Sequence, residues 1–173
     1  SMALLAAAVA VSAGREVAAA IVDHGLQPGS AAVAQAAAAA SRDAGAQPVE
    51  VLTVRVGTSG GPEAAARQAR YEALDSAAER LQVAAVLLGH TADDQAETVL
   101  LGLLRGAGAR ALAGMPARRG HYRRPLLELP RDFVRSAYPD LPTWDDPHNR
   151  DPRFARSRVR SRLLPLLEAE LGP

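Results

Sequence analysis

The stretch that decides the fold is Leu87–Gly108, "LLGHTADDQAETVLLGLLRGAG". An apolar run ends in Gly89-His90, two adjacent aspartates follow at Asp93 and Asp94, and Glu97 comes three residues later. After that the chain is apolar again up to Leu104. A run rich in Val and Leu that closes on Gly reads as a buried strand, Val83–Gly89, and the segment after it as a helix, Thr91–Leu104. A strand that hands one imidazole and three carboxylates to the start of a helix is how open parallel sheets build ligand sites, at the carboxyl ends of their strands. The plainer reading stays open beside it, because acidic residues are favoured in the first turn of any helix by its dipole.

Working outward, the same alternation recurs. A helix is expected over Met2–Ala13, a strand over Glu16–Asp23 ("EVAAAIVD"), and an alanine-rich helix over Ser30–Ala44 with Ser30 as N-cap and Gly45 as its stop. A β-branched strand follows over Val49–Val56, then a "GTSGG" loop and a long helix over Pro62–Leu81, with Pro in the first turn. Apolar strands alternating with helices define an α/β fold, a parallel sheet of about four or five strands covered by helices on both faces. The second strand end, Asp23-His24-Gly25, repeats the Asp and His theme of the opening stretch. Both ends are expected to border one cleft, and Arg70 to join them.

Composition bounds the rest. At 173 residues the chain fits one domain with a real core. Hydrophobic residues make up 48%, but many are alanine, which buries little area, so the core is expected to rest on Val and Leu. With no cysteine, disulfides, thiolate metal sites and iron–sulfur clusters built from this chain are excluded. No apolar run reaches membrane-spanning length and no targeting segment is evident, so a soluble cytoplasmic protein without a membrane role is expected. The net charge of +1 conceals an asymmetry: residues 1–100 carry 6 Arg and 11 acidic residues (−5), whereas residues 101–173 carry 14 Arg and 8 acidic residues (+6). Arg118, Arg119, Arg123 and Arg124 flank His121 and Tyr122, and Arg153, Arg156, Arg158, Arg160 and Arg162 stud a helix expected from Arg153 to Leu167. Such clustering fits a polyanion, with Tyr122 or Trp144 available to stack a base, although a solvated basic helix face and a structural Trp144 would give the same pattern. Pro139 should stop the helix begun by "RDFVRSAY" after about two turns.

"VDHGLQPGS", "AARQARYEAL", "LGHTADDQAETVLLGLLRGAG", "RRPLLEL" and "WDDPHNRDPRFARSRVRSRLLPLL" together resemble, in order and over nearly the whole chain, the blocks of the tRNA(Ile)-lysidine synthetase family, N-type ATP pyrophosphatases. The resemblance implies a Rossmann-like fold of the adenine nucleotide alpha hydrolase kind, carrying an Arg-rich helical C-terminal extension. It divides the chain into a catalytic region at 1–125 and a C-terminal part at 126–173 that leads toward a further domain. It implies a ligase that uses ATP to adenylate the wobble cytidine of tRNA(Ile) with a CAU anticodon. Free L-lysine then displaces AMP through its ε-amine, giving lysidine.

By the same resemblance Asp94, Glu97, Arg70 and His90 are catalytic, and Ser1, Asp23, His24 and Gly89 bind ATP. Arg123, Arg124, Arg156, Arg158 and Arg160 bind tRNA, and Asp93 with Asp94 meets magnesium carried by ATP. The family leaves room for a homodimer. The chemistry is consistent with these roles: carboxylates hold a lysine ammonium and accept its proton, magnesium prefers one or two carboxylates plus phosphate oxygens, and an arginine stabilises phosphate charge. Arg70 pairing with Glu63 or Asp75 on its own helix remains the plainer alternative. Ser1 matches the last position of the family's SGGxDS phosphate loop, whose glycines, aspartate and preceding strand are not in this chain, so weak phosphate binding is expected of it alone. The alternatives are a thiolating tRNA enzyme of the same superfamily, which the lack of cysteine disfavours, and a non-catalytic nucleotide-binding module.

Overall fold

A computed structural model describes residues 2–57, 61–139, 141 and 151–172. Ser1 and Trp144, named above, lie outside them. The chain forms two compact units, Ser1–Val86 and Leu87–Pro173.

In the first unit, helix α1 (Met2–Ala10) precedes strand β1 (Ala19–Asp23), helix α2 (Ser30–Asp43), strand β2 (Val49–Thr53) and helix α3 (Pro62–Arg80). β1 and β2 pair in parallel, in a register running from Ala19 opposite Val49 to Asp23 opposite Thr53. Both strands are shorter than expected, for local reasons. Pro48 has no N–H to give the ladder, so β2 starts after it, although the Pro48 carbonyl still accepts from Ala19 N–H at 2.9 Å. At the other end Asp23 leaves the ladder by folding its carboxylate onto Gly25 N–H at 3.0 Å, and Val54 N–H makes the last bond, to Asp23 O.

α2 packs on both strands and α3 on β1. The cap of α2 is Gly29, not Ser30: its φ of 81° is a turn conformation that a residue with a Cβ rarely adopts, and Ser30 becomes the first helical residue. α3 carries Glu63 in its first turn and Arg80 in its last, matching the helix dipole. The buried apolar residues of this unit are Leu4, Ala34, Ala38, Ala46, Ala65, Ala69, Leu74 and Ala77. The core therefore rests on alanine more than on the Val and Leu expected. Ala34–Ala38 and Ala65–Ala69 recur at helical spacing, so each helix turns a stripe of small side chains inward. The strand residues are mostly half-buried, because a two-stranded ribbon does not cover itself as a wide sheet does.

The short strand β3 (Val86–Leu87) leads into the second unit, which continues with α4 (Ala92–Leu104), α5 (Ala109–Leu112), β4 (Arg118–Arg119), β5 (Tyr122–Arg123), α6 (Arg131–Ser136), α7 (Ala155–Arg158), a π-helical turn at Val159–Leu163 and α8 (Leu164–Leu171). Among the described residues the sheet order here is β3-β5-β4, with β4 and β5 an antiparallel hairpin and Leu88 N–H donating to Arg123 O at 2.9 Å. Among the described residues the strands fall into two sheets, the parallel β1–β2 pair and β3-β5-β4, where one sheet of four or five was expected. The arginine loop expected at 118–124 is itself the hairpin. α6 ends three residues before Pro139.

The last helical stretch runs from Ala155 to Leu171, beyond the expected Leu167, and contains an unforeseen π turn. Pro165 accounts for it: it offers no N–H to Ser161, and its ring would collide with that carbonyl in a regular α-helix. The backbone widens instead, and Leu164 N–H donates to Val159 O, five residues back. No helix among the described residues is long and apolar enough to cross a membrane.

Candidate functional site

The opening stretch folds as a helix start closed on itself. Thr91 is the N-cap of α4, and Asp94 accepts from Thr91 N–H at 2.9 Å and Thr91 Oγ1 at 3.0 Å, a capping box. The plain capping role and the site role therefore fall on one residue, since the other oxygen of Asp94 faces arginines.

One helical turn further, Glu97 is 0% exposed and is the largest fully buried side chain among those described. A buried carboxylate is costly unless paired, and here each of its oxygens meets two guanidinium nitrogens. Glu97 Oε1 lies 2.6 Å from Arg160 Nε and 3.3 Å from Arg131 Nη2. Oε2 lies 3.0 Å from Arg160 Nη2 and 3.0 Å from Arg156 Nε. The Arg156 contact is an ion pair off the hydrogen-bond axis, and Arg156 also donates to Thr98 Oγ1 at 3.2 Å. Asp94 Oδ1 shares two of these cations, Arg160 at 3.3 Å and Arg131 at 3.4 Å. Asp93 accepts from the Arg131 backbone N–H at 2.8 Å and lies 3.6 Å from its guanidinium. Three carboxylates on α4 thus face three guanidinia, from the start of α6, from α7 and from the π turn.

Electrostatics sharpen the roles. Burial pushes the Asp94 carboxyl upward, but Thr91 N–H, Arg131, the Thr91 hydroxyl and Arg160 together hold it below the ordinary carboxylate value. Asp94 therefore stays ionised near neutral pH. Burial pulls Arg160 down and Glu97 with both aspartates more than restores it, so its cationic form is the more firmly held.

Asp93 and Asp94, where magnesium carried by ATP was expected, are turned onto guanidinia and backbone N–H groups, and no group of three His, Asp or Glu that could by itself hold a metal occurs among the described residues.

His90 lies just before this helix start. Arg124 donates from Nε to His90 Nδ1 at 3.3 Å and from Nη1 to Pro116 O at 2.7 Å. A guanidinium only donates, so Nδ1 must offer a lone pair and the ring proton must sit on Nε2. Arg124 is 4% exposed, so the sequence reading is corrected here: this arginine positions His90 and is not placed to meet a polynucleotide. Tyr122, 7% exposed and 4.4 Å from the His121 ring centroid, is likewise buried in the hairpin and is no open platform for a base. Arg156 and Arg160, also expected on the polyanion side, turn inward onto Glu97. Arg158 is exposed, with Nη1 bonded to the Pro152 and Arg153 carbonyls. Arg123 donates to Gly120 O at 2.6 Å and Tyr122 O at 2.9 Å across the hairpin turn.

In the first unit the expected partners do meet. Arg70 of α3 approaches His24 Nε2 at 3.3–3.4 Å, just past the end of β1. Burial and Arg70 lower the His24 pKa against the opposing pull of Asp23, so the ring is neutral at pH 7 and accepts from Arg70. Asp23 is buried and tied to Gly25, and Gly89 lies in the extended connection after β3. Sequence reading missed Arg131 and Thr91. Thr91 was detectable as the first half of a capping box with Asp94; Arg131, more than thirty residues from its partners, had no spacing signal.

The PP-loop domain family model matches residues 1–167. The tRNA(Ile)-lysidine synthase of Thermobifida fusca is 58% identical over 154 residues, which cover 88% of this chain and 48% of that protein. That of Streptomyces coelicolor is 58% identical over 156 residues, 87% of this chain and 44% of the other. That of Leifsonia xyli is 55% identical over 177 residues, 100% of this chain and 53% of the other. The chain thus spans about half the length of the curated relatives it matches. Among solved structures, the U34-tRNA thiolase NcsA from Methanococcus maripaludis is similar in fold, with a TM-score of 0.73 at 18% identity over 99% of this chain and 64% of that one.

Proposed function

We propose, on the premise that this chain belongs to the PP-loop domain family, that it is the ATP-using part of an enzyme that joins L-lysine to the wobble cytidine of a tRNA(Ile) with a CAU anticodon. ATP adenylates the cytidine with release of pyrophosphate, and the lysine ε-amine then displaces AMP. The observation that carries the reading is the carboxylate–guanidinium cluster on α4, formed by the residues that match the lysidine synthetase motif, in a chain up to 58% identical to curated lysidine synthases.

The residues divide the work by their chemistry. Asp94, ionised and partly exposed, is the counter-charge for the lysine ammonium, with Glu97 behind it. Arg131, Arg156 and Arg160 supply cationic donors suited to phosphate oxygens as charge moves from ATP to cytidine. His90, held by Arg124, works as a neutral donor through Nε2–H. On the first unit, Asp23, His24 and Arg70 take the nucleotide, and Arg70 meets phosphate charge. Of the five arginines expected to meet the RNA, Arg158 and Arg123 are the two not turned onto Glu97 or His90.

The test is incubation of the protein with ATP, labelled L-lysine and tRNA(Ile). Label should appear in the RNA with AMP and pyrophosphate released in equal amounts, and Asp94→Ala should abolish it while leaving the circular dichroism spectrum intact. Labelling at the wild-type rate by Asp94→Ala would remove the site from the reaction. A thiolation reading draws only on fold likeness, and the chain has no cysteine to carry sulfur.

A further inference from the structure

The cluster presents a difficulty for an amine substrate. A carboxylate has about four lone-pair positions, and Glu97 meets four guanidinium nitrogens. Asp94 is equally engaged, by Thr91 on one oxygen and by Arg131 and Arg160 on the other. Three carboxylates balance three guanidinia, so the cluster as folded is neutral and offers an incoming ammonium no net attraction and no free acceptor on Glu97 or Asp94. One cation must leave before another can enter.

The contacts single out which one. Arg131 is anchored twice, by its backbone N–H on Asp93 and by a guanidinium that reaches three carboxylates. Arg156 is held to Thr98 as well as to Glu97. Arg160 bonds only the carboxylates of Glu97 and Asp94 among the described partners, and it takes two of the four positions on Glu97, where Arg131 and Arg156 take one each. Its side chain is 28% exposed, and Arg158 and Arg162, two residues to either side, are exposed on the same helical stretch. It also stands on the π turn Val159–Leu163. Returning one such turn to α geometry shifts the register by a residue, which rotates the side chains on one side of it by roughly 100° relative to the other.

We propose that Arg160 is an internal occupant of the amine subsite, and that a phosphate of the bound RNA draws it out, so that lysine binding and RNA binding reinforce each other. The exchange conserves charge: the guanidinium goes to a phosphate, and the ammonium takes its place on Glu97 and Asp94. Lysine is thereby admitted only when the RNA that will receive it is present. This inference rests on the lysine-joining reading above.

Titration calorimetry of L-lysine into the wild-type protein, with and without an RNA stem-loop carrying the CAU anticodon, tests it. Lysine should bind about tenfold more tightly with the RNA present, and by linkage the RNA should bind more tightly by the same factor in saturating lysine. Arg160→Gln should bind lysine without RNA about as well as wild type binds it with RNA, and should lose the coupling; Arg160→Lys, which keeps the charge but not the fork, should fall between. Equal lysine affinity with and without RNA in the wild type overturns the proposal and needs no variant to fold. Unchanged lysine affinity in a folded Arg160→Gln overturns it as well. If either result comes from a protein that still incorporates labelled lysine, only this inference falls. If the wild type incorporates none, the underlying reading falls with it.

Discussion

Replacing Glu97 by Gln keeps the shape of the side chain and removes its charge. The structure sets what this costs. Four guanidinium nitrogens lie within 2.6–3.3 Å of the two carboxylate oxygens. The amide has one oxygen able to accept two of them, and its NH2 points two donors at the others. The neutral cluster gains one uncompensated positive charge at a position with 0% exposure. Removing one member of a buried ion pair typically costs about 3–5 kcal/mol, and a protein of this size holds roughly 5–15 in total. At about 2–4 °C per kcal/mol for a chain this long, the melting temperature should fall by roughly 6–20 °C. Urea unfolding followed by circular dichroism measures it. The decisive arm is the double variant Glu97→Gln with Arg160→Gln, which restores neutrality. It should be more stable than the sum of the two single losses by about 0.5–3 kcal/mol. A Glu97→Gln protein within about 0.5 kcal/mol of wild type, or strict additivity in the double variant, would refute the claim that charge pairing holds these elements together.

Three further outcomes follow from other parts of the structure. Gly114→Ala should destabilise by about 1–3 kcal/mol in a thermal melt: its φ is +55°, and the new Cβ would lie 2.7 Å from the Gln95 side chain that bridges Met115 N–H and O. The depressed Asp94 pKa means that its stabilising contribution is complete above the ordinary value of 3.8 and is lost as pH falls through the lower folded-state value. Asp94→Asn should therefore flatten the acid limb of a melting-temperature profile between about pH 2 and 5, and an unchanged limb would assign the acid transition to other groups. Exposed Arg158 and buried Arg124 should separate in RNA binding measured at several salt concentrations. Arg158→Gln should lower the log–log salt slope by about 0.9 if the side chain meets a phosphate, whereas Arg124→Gln should leave the slope and weaken the fold.

The sequence by itself determined the order of elements and the chemistry at the strand ends, because both are written in local signals. Apolar runs closed by Asp-His and Gly-His marked β1 and β3, and the Thr91-to-Asp94 spacing at the head of an apolar run is a helix start wherever it occurs. Helical spacing also placed Asp93 and Glu97 one turn apart, and Asp94 and Thr98 likewise. Where each strand stops was less legible, since pairing depends on its partner: β2 waits for Pro48 to pass, and β1 ends when Asp23 turns to Gly25. What only the tertiary structure decided is the sign of the environment around each charge. Arg156 and Arg160 look in the sequence like neighbours of Arg158 on one basic face. Helix geometry and the π turn forced by Pro165 aim those two at Glu97 and leave Arg158 in solvent. Arg124 looks like Arg123, yet one is sealed against His90 and the other lies across the hairpin turn. Arg131 carried no signal at all, because a contact across more than thirty residues has no period, and a buried carboxylate recruits whichever guanidinium the fold brings near it.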